Sequence, residues 1–134
     1  HNFVVTAEQA EIQKYAHNIQ GYFRIILANL LYEMATHVGA DWEPIKNMMD
    51  SDVMMSPYYN DPVHKGGRGA GGNCFIKDMA AFRHHYESLL EMDEEGLAVL
   101  KALEAKNIEL LLASKKNIDL VREVYGLEVM PDEK

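Results

Sequence analysis

Residues 6–39 read TAEQAEIQKYAHNIQGYFRIILANLLYEMATHVG, and this stretch sets the class of fold. Thr6 and Gln9, three residues later, form a capping box of the kind that begins a helix, and Gly39 is well suited to follow a helix C-terminus. Between them, apolar residues recur mostly at steps of three and four, the spacing of an α-helix. They are Tyr15, Ile19, Phe23, Ile26, Leu27, Leu30, Met34 and Val38. The pattern predicts one helix of about 30 residues, far longer than the globular average.

The middle of this helix, from Tyr22 to Leu31, is apolar nearly all round, so more than one of its faces needs cover. In a chain of 134 residues a second copy of the protein can supply that cover, which predicts a homodimer. The competing arrangement is that helices of the same chain enclose it. We therefore expect an all-α fold, a helical domain built on one long central helix and dimerising through it.

Further helix signals follow along the chain. Asp41 is a suitable N-cap for a short second helix, and Asp93 is a suitable N-cap for a fourth, which Gly126 ends. A break near Ser114 would divide this last helix into two. Together these signals place residues 1–134 in a single helical domain.

The segment between the second and third helices has no sustained periodicity. Residues 52–72 contain prolines and glycines and predict a loop of about 20 residues, a length that is usually functional or disordered. The only candidates for strands are Val4–Val5 and residues 128–130, and the polar tail over residues 128–134 is expected to fray.

Composition excludes several classes of function. The formal net charge of −8 argues against a nucleic-acid or anionic-membrane binder, and no apolar run reaches the roughly 20 residues of a membrane span. One unpaired cysteine is typical of a reducing compartment, so a cytoplasmic location is expected. His84 and His85 are adjacent and diverge around their helix, and no metal-ligand spacing occurs, so no metal site is predicted.

The single cysteine, Cys74, lies just after five glycines and at the start of a helical pattern that continues to about Met92. With Asn73 as the expected N-cap, the free N–H groups of the first turn and the cation of Lys77 favour a thiolate, which makes Cys74 a candidate nucleophile. The alternative is a small buried residue that follows a flexible connector.

Two further groups of residues indicate chemistry. Lys65, Arg68 and Lys77 against Asp78 give the central stretch a local charge of +2, which suits a small anion such as phosphate. The neighbouring Tyr58 and Tyr59 can stack on a base or a sugar, or anchor the loop. The alternative for the charges is that they are solvated.

Lys14 and Asn18 are spaced to project from one face of the first helix. In that position they could donate together to one developing oxyanion. Most pairs of this kind are solvated surface residues.

The Lys14–Asn18 pair and the segment around Cys74 together resemble the central, dimerising domain of the UDP-glucose and GDP-mannose dehydrogenase family. The resemblance rests on Lys14-Tyr15-Ala16-His17-Asn18 and on Gly71-Gly72-Asn73-Cys74-Phe75-Ile76-Lys77-Asp78, and it covers Glu8 to about Leu90. It implies an NAD-dependent enzyme that oxidises the primary alcohol of a nucleotide sugar, such as UDP-glucose or GDP-mannose, to a carboxylate. A homodimer that acts on a nucleotide sugar is the implied assembly.

The resemblance also implies roles for individual residues. Cys74 would attack the intermediate aldehyde and carry a thioester, Lys14 and Asn18 would hold an oxyanion or a water, and Asp78 would position the water for hydrolysis. The backbone at Gly71 and Gly72 would approach the sugar, with Lys77 close by. The family often carries an arginine after the second helix; residues 50–52 have none, so Arg68 is the expected substitute.

Two family domains are not expected within this chain. No Gly-x-Gly-x-x-Gly fingerprint following a strand is found, so the NAD-binding domain would precede His1, and the C-terminal nucleotide-sugar domain is also absent. Two other functions remain: a non-catalytic helical dimerisation module of the same fold, and a relative of the β-hydroxyacid dehydrogenases. The second of these needs no cysteine nucleophile, so Cys74 argues against it.

Overall fold

The computed structural model describes residues 2–126, which form five helices and one small hairpin. The helices are α1 (Ala7–His37), α2 (Trp42–Ser51), α3 (Asn73–Leu89), α4 (Glu94–Ala113) and α5 (Ile118–Tyr125). Strands β1 (Val63–His64) and β2 (Gly67–Arg68) pair antiparallel. The all-α prediction is confirmed. The predictions for residues 128–134, including the strand, lie outside the described residues.

The long first helix is present with the predicted ends. Thr6 Oγ1 accepts the Gln9 N–H and Gln9 Oε1 accepts the Thr6 N–H, so the capping box is complete. The helix runs for 31 residues to His37, with Val38 as its C-cap, after which Gly39 takes a φ of 74°. That left-handed conformation is easily reached only by glycine, which is why the helix stops there.

The start of α3 differs from the prediction. Gly72, not Asn73, is the N-cap: it has a φ of 84°, and no side chain caps the helix. Asn73 is already the first helical residue because the chain turns at the glycine, whose N–H is bound by Asn117. The predicted position of Cys74 in the first turn is confirmed.

The C-terminal end of α3 was also predicted incorrectly. The helix ends at Leu89 instead of near Met92, and Leu89 and Leu90 are exposed. Asp93 then accepts the Gly96 N–H and caps α4.

The other boundaries follow the sequence signals with one exception. Asp41 caps α2 through the Glu43 N–H, and the break near Ser114 separates α4 from α5. The strand prediction at Val4–Val5 is wrong, because these residues are exposed and unpaired with any other segment in the described structure. The two short strands lie inside the loop instead, where turn residues bring its halves together.

α1 and α3 pack side by side in antiparallel directions. Tyr15 of α1 contacts Phe82 of α3, with ring centroids 5.3 Å apart, whereas Gly21 faces Phe75 near the start of α3. A Cβ at Gly21 would lie 3.1 Å from both the Phe75 and the Tyr59 ring, so a glycine permits this close approach.

Two clusters of buried side chains hold the helices together. The larger is built on Ile19, Tyr22 and Ile26 of α1, with Met79, Leu100 and Leu110 of the other helices. The smaller consists of Ile76, Leu111 and Val121 and fixes α5 against α3 and α4. The apolar residues of α1 therefore lie on two faces, and five of them are exposed: Phe23, Leu27, Leu30, Met34 and Val38.

Within residues 2–126, none of the helices combines the length and hydropathy needed to cross a membrane.

Candidate active site

Asn18 and Asp78 meet at the contact between α1 and α3. The Asn18 side-chain Nδ2 donates to Asp78 Oδ2 at 2.5 Å, and both side chains are half-buried. The Asn18 amide also has a carbonyl oxygen, while the second oxygen of Asp78 can accept a further hydrogen bond. Two residues that lie 60 positions apart in the sequence thus form one polar group that could bind a water or a substrate hydroxyl.

Lys14 and Cys74 flank this polar pair. Lys14 precedes Asn18 by one turn of α1, and Cys74 precedes Asp78 by one turn of α3. Because the helices are antiparallel, Lys14 and Cys74 lie on opposite sides of the Asn18–Asp78 contact. Each is about 6 Å from it along its helix, so their Cα atoms are about 12 Å apart along the helix axes. Both are exposed. An atom bound over the Asn18–Asp78 pair would therefore have the ammonium on one side and the thiol on the other.

The same contact contains two residues that the sequence did not assign to the site. Tyr15 OH and His85 Nδ1 are 2.9 Å apart, and the rings meet edge to face. Burial, together with the negative charges of Glu11 and Asp78, raises the pKa of Tyr15. Tyr15 lies inside the Lys14–Asn18 motif and its spacing to Ile19 indicated an inward face, but nothing in the sequence paired it with a histidine 70 residues away.

The glycine-rich segment between β2 and α3 is held by side chains from α4 and from the turn that follows it. Asn107 Oδ1 accepts the Ala70 N–H at 2.6 Å and Asn107 Nδ2 donates to the Ala70 carbonyl at 3.0 Å, in a fully buried contact. Ser114 Oγ accepts the Arg68 N–H. These hydrogen bonds hold the segment against α4 and argue against the alternative of a flexible connector.

Lys116 and Asn117 complete this support. Lys116 Nζ donates to the carbonyls of Gly67 and Gly69, at 3.3 and 2.9 Å, and Asn117 Oδ1 accepts the Gly72 N–H at 3.0 Å. No local pattern indicated these contacts, because the side chains of a turn satisfy backbone groups more than 40 residues away.

Arg24 of α1 binds the loop that precedes the glycine-rich segment. Its guanidinium donates to the carbonyls of Ser56 and Tyr58 and to Asn60 Oδ1, and Asn60 in turn donates to Asp50. These bonds fix Tyr58 and its neighbour Tyr59 at the edge of the glycine-rich segment.

A cavity of about 710 Å³ lies between the two loops that residues 58–72 and 115–117 form. Its lining includes Tyr58, Tyr59, Lys65, Gly71, Gly72 and Phe75. The aromatic residues, the glycines and one lysine that the sequence indicated are thus brought together in one concave site. The volume is within the usual range for small-molecule pockets, roughly 300–1,000 Å³.

Arg68 and Lys77, the two other residues expected to bind substrate, do not line this cavity. The Arg68 guanidinium donates to Asn29 and pairs with Glu33, over the ring of Tyr32. Lys77 pairs with Glu123 at 3.1 Å on the surface.

The described residues form neither a metal site nor a dinucleotide-binding unit. No cluster of three metal-ligating side chains occurs among residues 2–126. Gly67, Gly69 and Gly72 have the spacing Gly-x-Gly-x-x-Gly before a helix, but Gly67 lies within the two-residue antiparallel strand β2, which is not the parallel strand that precedes this motif in a dinucleotide-binding unit. The described residues therefore do not fit an NAD site.

Comparison with known proteins gave two kinds of match. The sequence model of the UDP-glucose/GDP-mannose dehydrogenase family, central domain, matches residues 8–108. Two UDP-glucose 6-dehydrogenases of Bacillus subtilis (strain 168) are similar: YwqF is 30% identical over 90% of this chain, and TuaD is 27% identical over 92%. The chain spans only 31% and 30% of their lengths, about a third in each case. No solved structure matches.

Proposed function

The chain belongs to the UDP-glucose/GDP-mannose dehydrogenase family, whose central domain it contains, and we propose that it is the catalytic and dimerising segment of an NAD-dependent nucleotide-sugar 6-dehydrogenase. The observation that carries this proposal is the Asn18–Asp78 hydrogen bond, with Lys14 and Cys74 one turn away on the same two helices. The overall reaction removes two hydrides from a primary alcohol and gives a carboxylate. The NAD that accepts them would be bound outside the described residues.

In the proposed mechanism Cys74 acts on the aldehyde formed by the first oxidation. Its thiolate forms a sulfur–carbon bond, and the aldehyde oxygen becomes the oxyanion and then the hydroxyl of a thiohemiacetal. The second oxidation of this carbon leaves a thioester. The exposed position of Cys74 at the start of α3 supports such a role, because the nucleophile must reach a bound ligand.

Lys14, Asn18 and Asp78 would act on the oxygen atoms. The Lys14 ammonium makes no hydrogen bond or ion pair with another residue of the described structure and is free to stabilise the oxyanion. Asp78, oriented by Asn18, would accept a proton from the water that attacks the thioester. The carbon–sulfur bond then breaks, the thiol regains its proton, and the carboxylate product leaves.

The remaining expected substrate residues take supporting roles in the proposal. Gly71 and Gly72 line the cavity, where the backbone can approach a sugar. Lys77 remains a proposed substrate contact, because its exposed pairing with Glu123 is of a kind worth little and easily exchanged. Arg68 would act through the loop, which it fixes to α1 by way of Asn29 and Glu33.

We propose that the protein forms a homodimer through α1. Five apolar side chains follow one another along its outer face, with exposed fractions from 36% to 69%, and make a seam about 22 Å long. They are Phe23, Leu27, Leu30, Met34 and Val38. An apolar stripe of this length on a soluble domain usually marks an interface.

Counting NADH per molecule of UDP-glucose consumed tests the catalytic proposal, with Cys74→Ser and Asp78→Asn studied beside the wild type. The native protein that carries this chain should form two NADH per sugar. Cys74→Ser should stop after the aldehyde. Asp78→Asn should slow hydrolysis, so that a sugar-nucleotide adduct on Cys74 accumulates and is detected by intact-protein mass spectrometry.

The other outcomes separate the alternatives. One NADH per sugar and full activity of Cys74→Ser would contradict the thioester route. Absence of turnover with UDP-glucose and GDP-mannose, in a protein that still dimerises, would favour a non-catalytic dimerisation module.

A further inference from the structure

Backbone strain is concentrated around the cavity between the two loops. Four non-glycine residues in the described structure have a positive φ: Tyr59 (69°), Lys65 (50°), Lys115 (55°) and Asn117 (54°). All four line this cavity. Such conformations cost about 1–3 kcal/mol each and persist where surrounding structure imposes them, typically at ligand sites. Their coincidence at one cavity indicates that its shape is built for a ligand.

The charges at the cavity are strongly unbalanced. Lys65, Lys115 and Lys116 line it, and Asp61 is the single carboxylate among the described lining residues. Asp61 accepts the Val63 N–H, and no ion pair links it to any of these lysines within residues 2–126. In a chain with a net charge of −8, this gathering of positive charge is a local exception.

The positive charges of Lys65 and Lys116 repel each other. Burial, and in addition the charge of Lys65, lowers the pKa of the Lys116 ammonium. Lys116 is bound only by the carbonyls of Gly67 and Gly69 and has no carboxylate partner in the described structure. An anion bound between the lysines would therefore stabilise all three of them.

The uncharged lining residues indicate which kind of molecule the anionic group belongs to. Tyr58 is 72% exposed at the rim, and the Tyr59 ring is held edge-on against Phe75, so an aromatic base has flat faces on which to pack. Gly71 and Gly72, which lead to α3, also line the cavity. Cations, tyrosine rings and a glycine backbone in one cavity suit a nucleoside diphosphate whose base packs on a tyrosine ring.

We propose that Lys65 and Lys115 bind the diphosphate of a nucleotide sugar, while Lys116 behind them fixes the glycine-rich segment. This inference rests on the proposed function and adds the element that binds the substrate's phosphates. Lys115 lies in the turn between α4 and α5, beyond residue 108, where the family match ends. This chain's own turn thus contributes a substrate contact that the matched region does not include.

Calorimetric titration of the native protein that carries this chain tests the proposal, with UDP and inorganic pyrophosphate as probes. Lys65→Gln and Lys115→Gln should each weaken binding of both probes about tenfold, the effect of losing one charge-assisted hydrogen bond. The double variant should bind still more weakly, and the salt dependence of its binding should be shallower. Lys101→Gln is the matched control, because it removes an exposed cation of α4 paired with Glu87 and should leave both affinities unchanged.

The two probes separate this inference from the proposed function. Unchanged affinity for both probes in the double variant would overturn the inference, even if UDP-glucose is oxidised normally. Lysine-dependent binding of pyrophosphate, without binding of UDP or GDP and without oxidation of UDP-glucose or GDP-mannose, would support the anion site and overturn the proposed function.

Discussion

Glu33 is the residue where three parts of the molecule meet. Its carboxylate on α1 receives Arg68 from the glycine-rich segment at 3.0 Å and Lys106 from α4 at 3.0 Å. Burial alone would raise the pKa of Glu33, but Lys106 and Arg68 outweigh it and hold the pKa below the ordinary value of 4.5. The ionised carboxylate therefore stabilises the folded state.

The direction of the pH dependence follows from this lowered pKa. Glu33 contributes stability that is fully present above the unfolded-state pKa and is lost as the pH falls through the folded-state pKa. We expect Glu33→Gln to be less stable than the wild type at pH 7, with the difference shrinking as the pH falls below about 4.5. Urea denaturation of both proteins between pH 3 and 7 measures it; a difference that stays constant would contradict the prediction.

At the scale of elements, α1 has two apolar faces with different surroundings. One face, with Ile19, Tyr22 and Ile26, packs inside the chain, while the other carries the exposed seam from Phe23 to Val38. Helices of the same chain therefore cover one face of α1, and the other face is exposed. The homodimer that would cover the exposed face stays a proposal.

The double substitution Leu27→Lys with Leu30→Lys tests the proposed dimer. These side chains are about half exposed, so the fold should survive, whereas two cations opposite their own copies should weaken a dimer by more than about tenfold. Sedimentation equilibrium at micromolar concentration measures the change. Leu89→Lys, at an exposed leucine of α3, is the control; a double variant that dimerises like the wild type would place the interface elsewhere.

The α4–α5 turn, although short, contacts both the glycine-rich segment and the cavity. Through Lys116 and Asn117 it binds the backbone of the glycine-rich segment on one side, and through Lys115 it lines the cavity. Its position depends in turn on α5, which is held by the small cluster around Val121.

At the scale of the whole molecule, the packing of α5 should therefore contribute to global stability. Val121 is fully buried against Ile76 and Leu111, whereas Val99 on α4 is 55% exposed. Val121→Ala should lower the free energy of unfolding by about 2 kcal/mol through lost contacts and a cavity. Val99→Ala makes the same chemical change in a helix and should stay within about 0.5 kcal/mol. Equal effects of the two substitutions on urea unfolding would contradict the importance of this cluster.

The sequence by itself determined the helices, because their signals are local. The capping box at Thr6, the N-caps at Asp41 and Asp93 and the turn at Gly39 act within a few residues of their own position, and all are present as predicted. One boundary was misjudged because a distant group intervened. At the start of α3, Asn117 takes the N–H of Gly72 and the glycine replaces Asn73 as the cap.

Only the tertiary structure decided how the site is assembled. The sequence indicated Lys14 with Asn18, and Cys74 with Asp78, but the bond between Asn18 and Asp78 depends on the antiparallel packing of α1 and α3. Tyr15 with His85 at that contact, and the lysines of the α4–α5 turn at the cavity, were brought into position for the same reason. Periodicity reports which face of a helix is buried, whereas the residue it meets is set by long-range packing, which a local pattern does not encode.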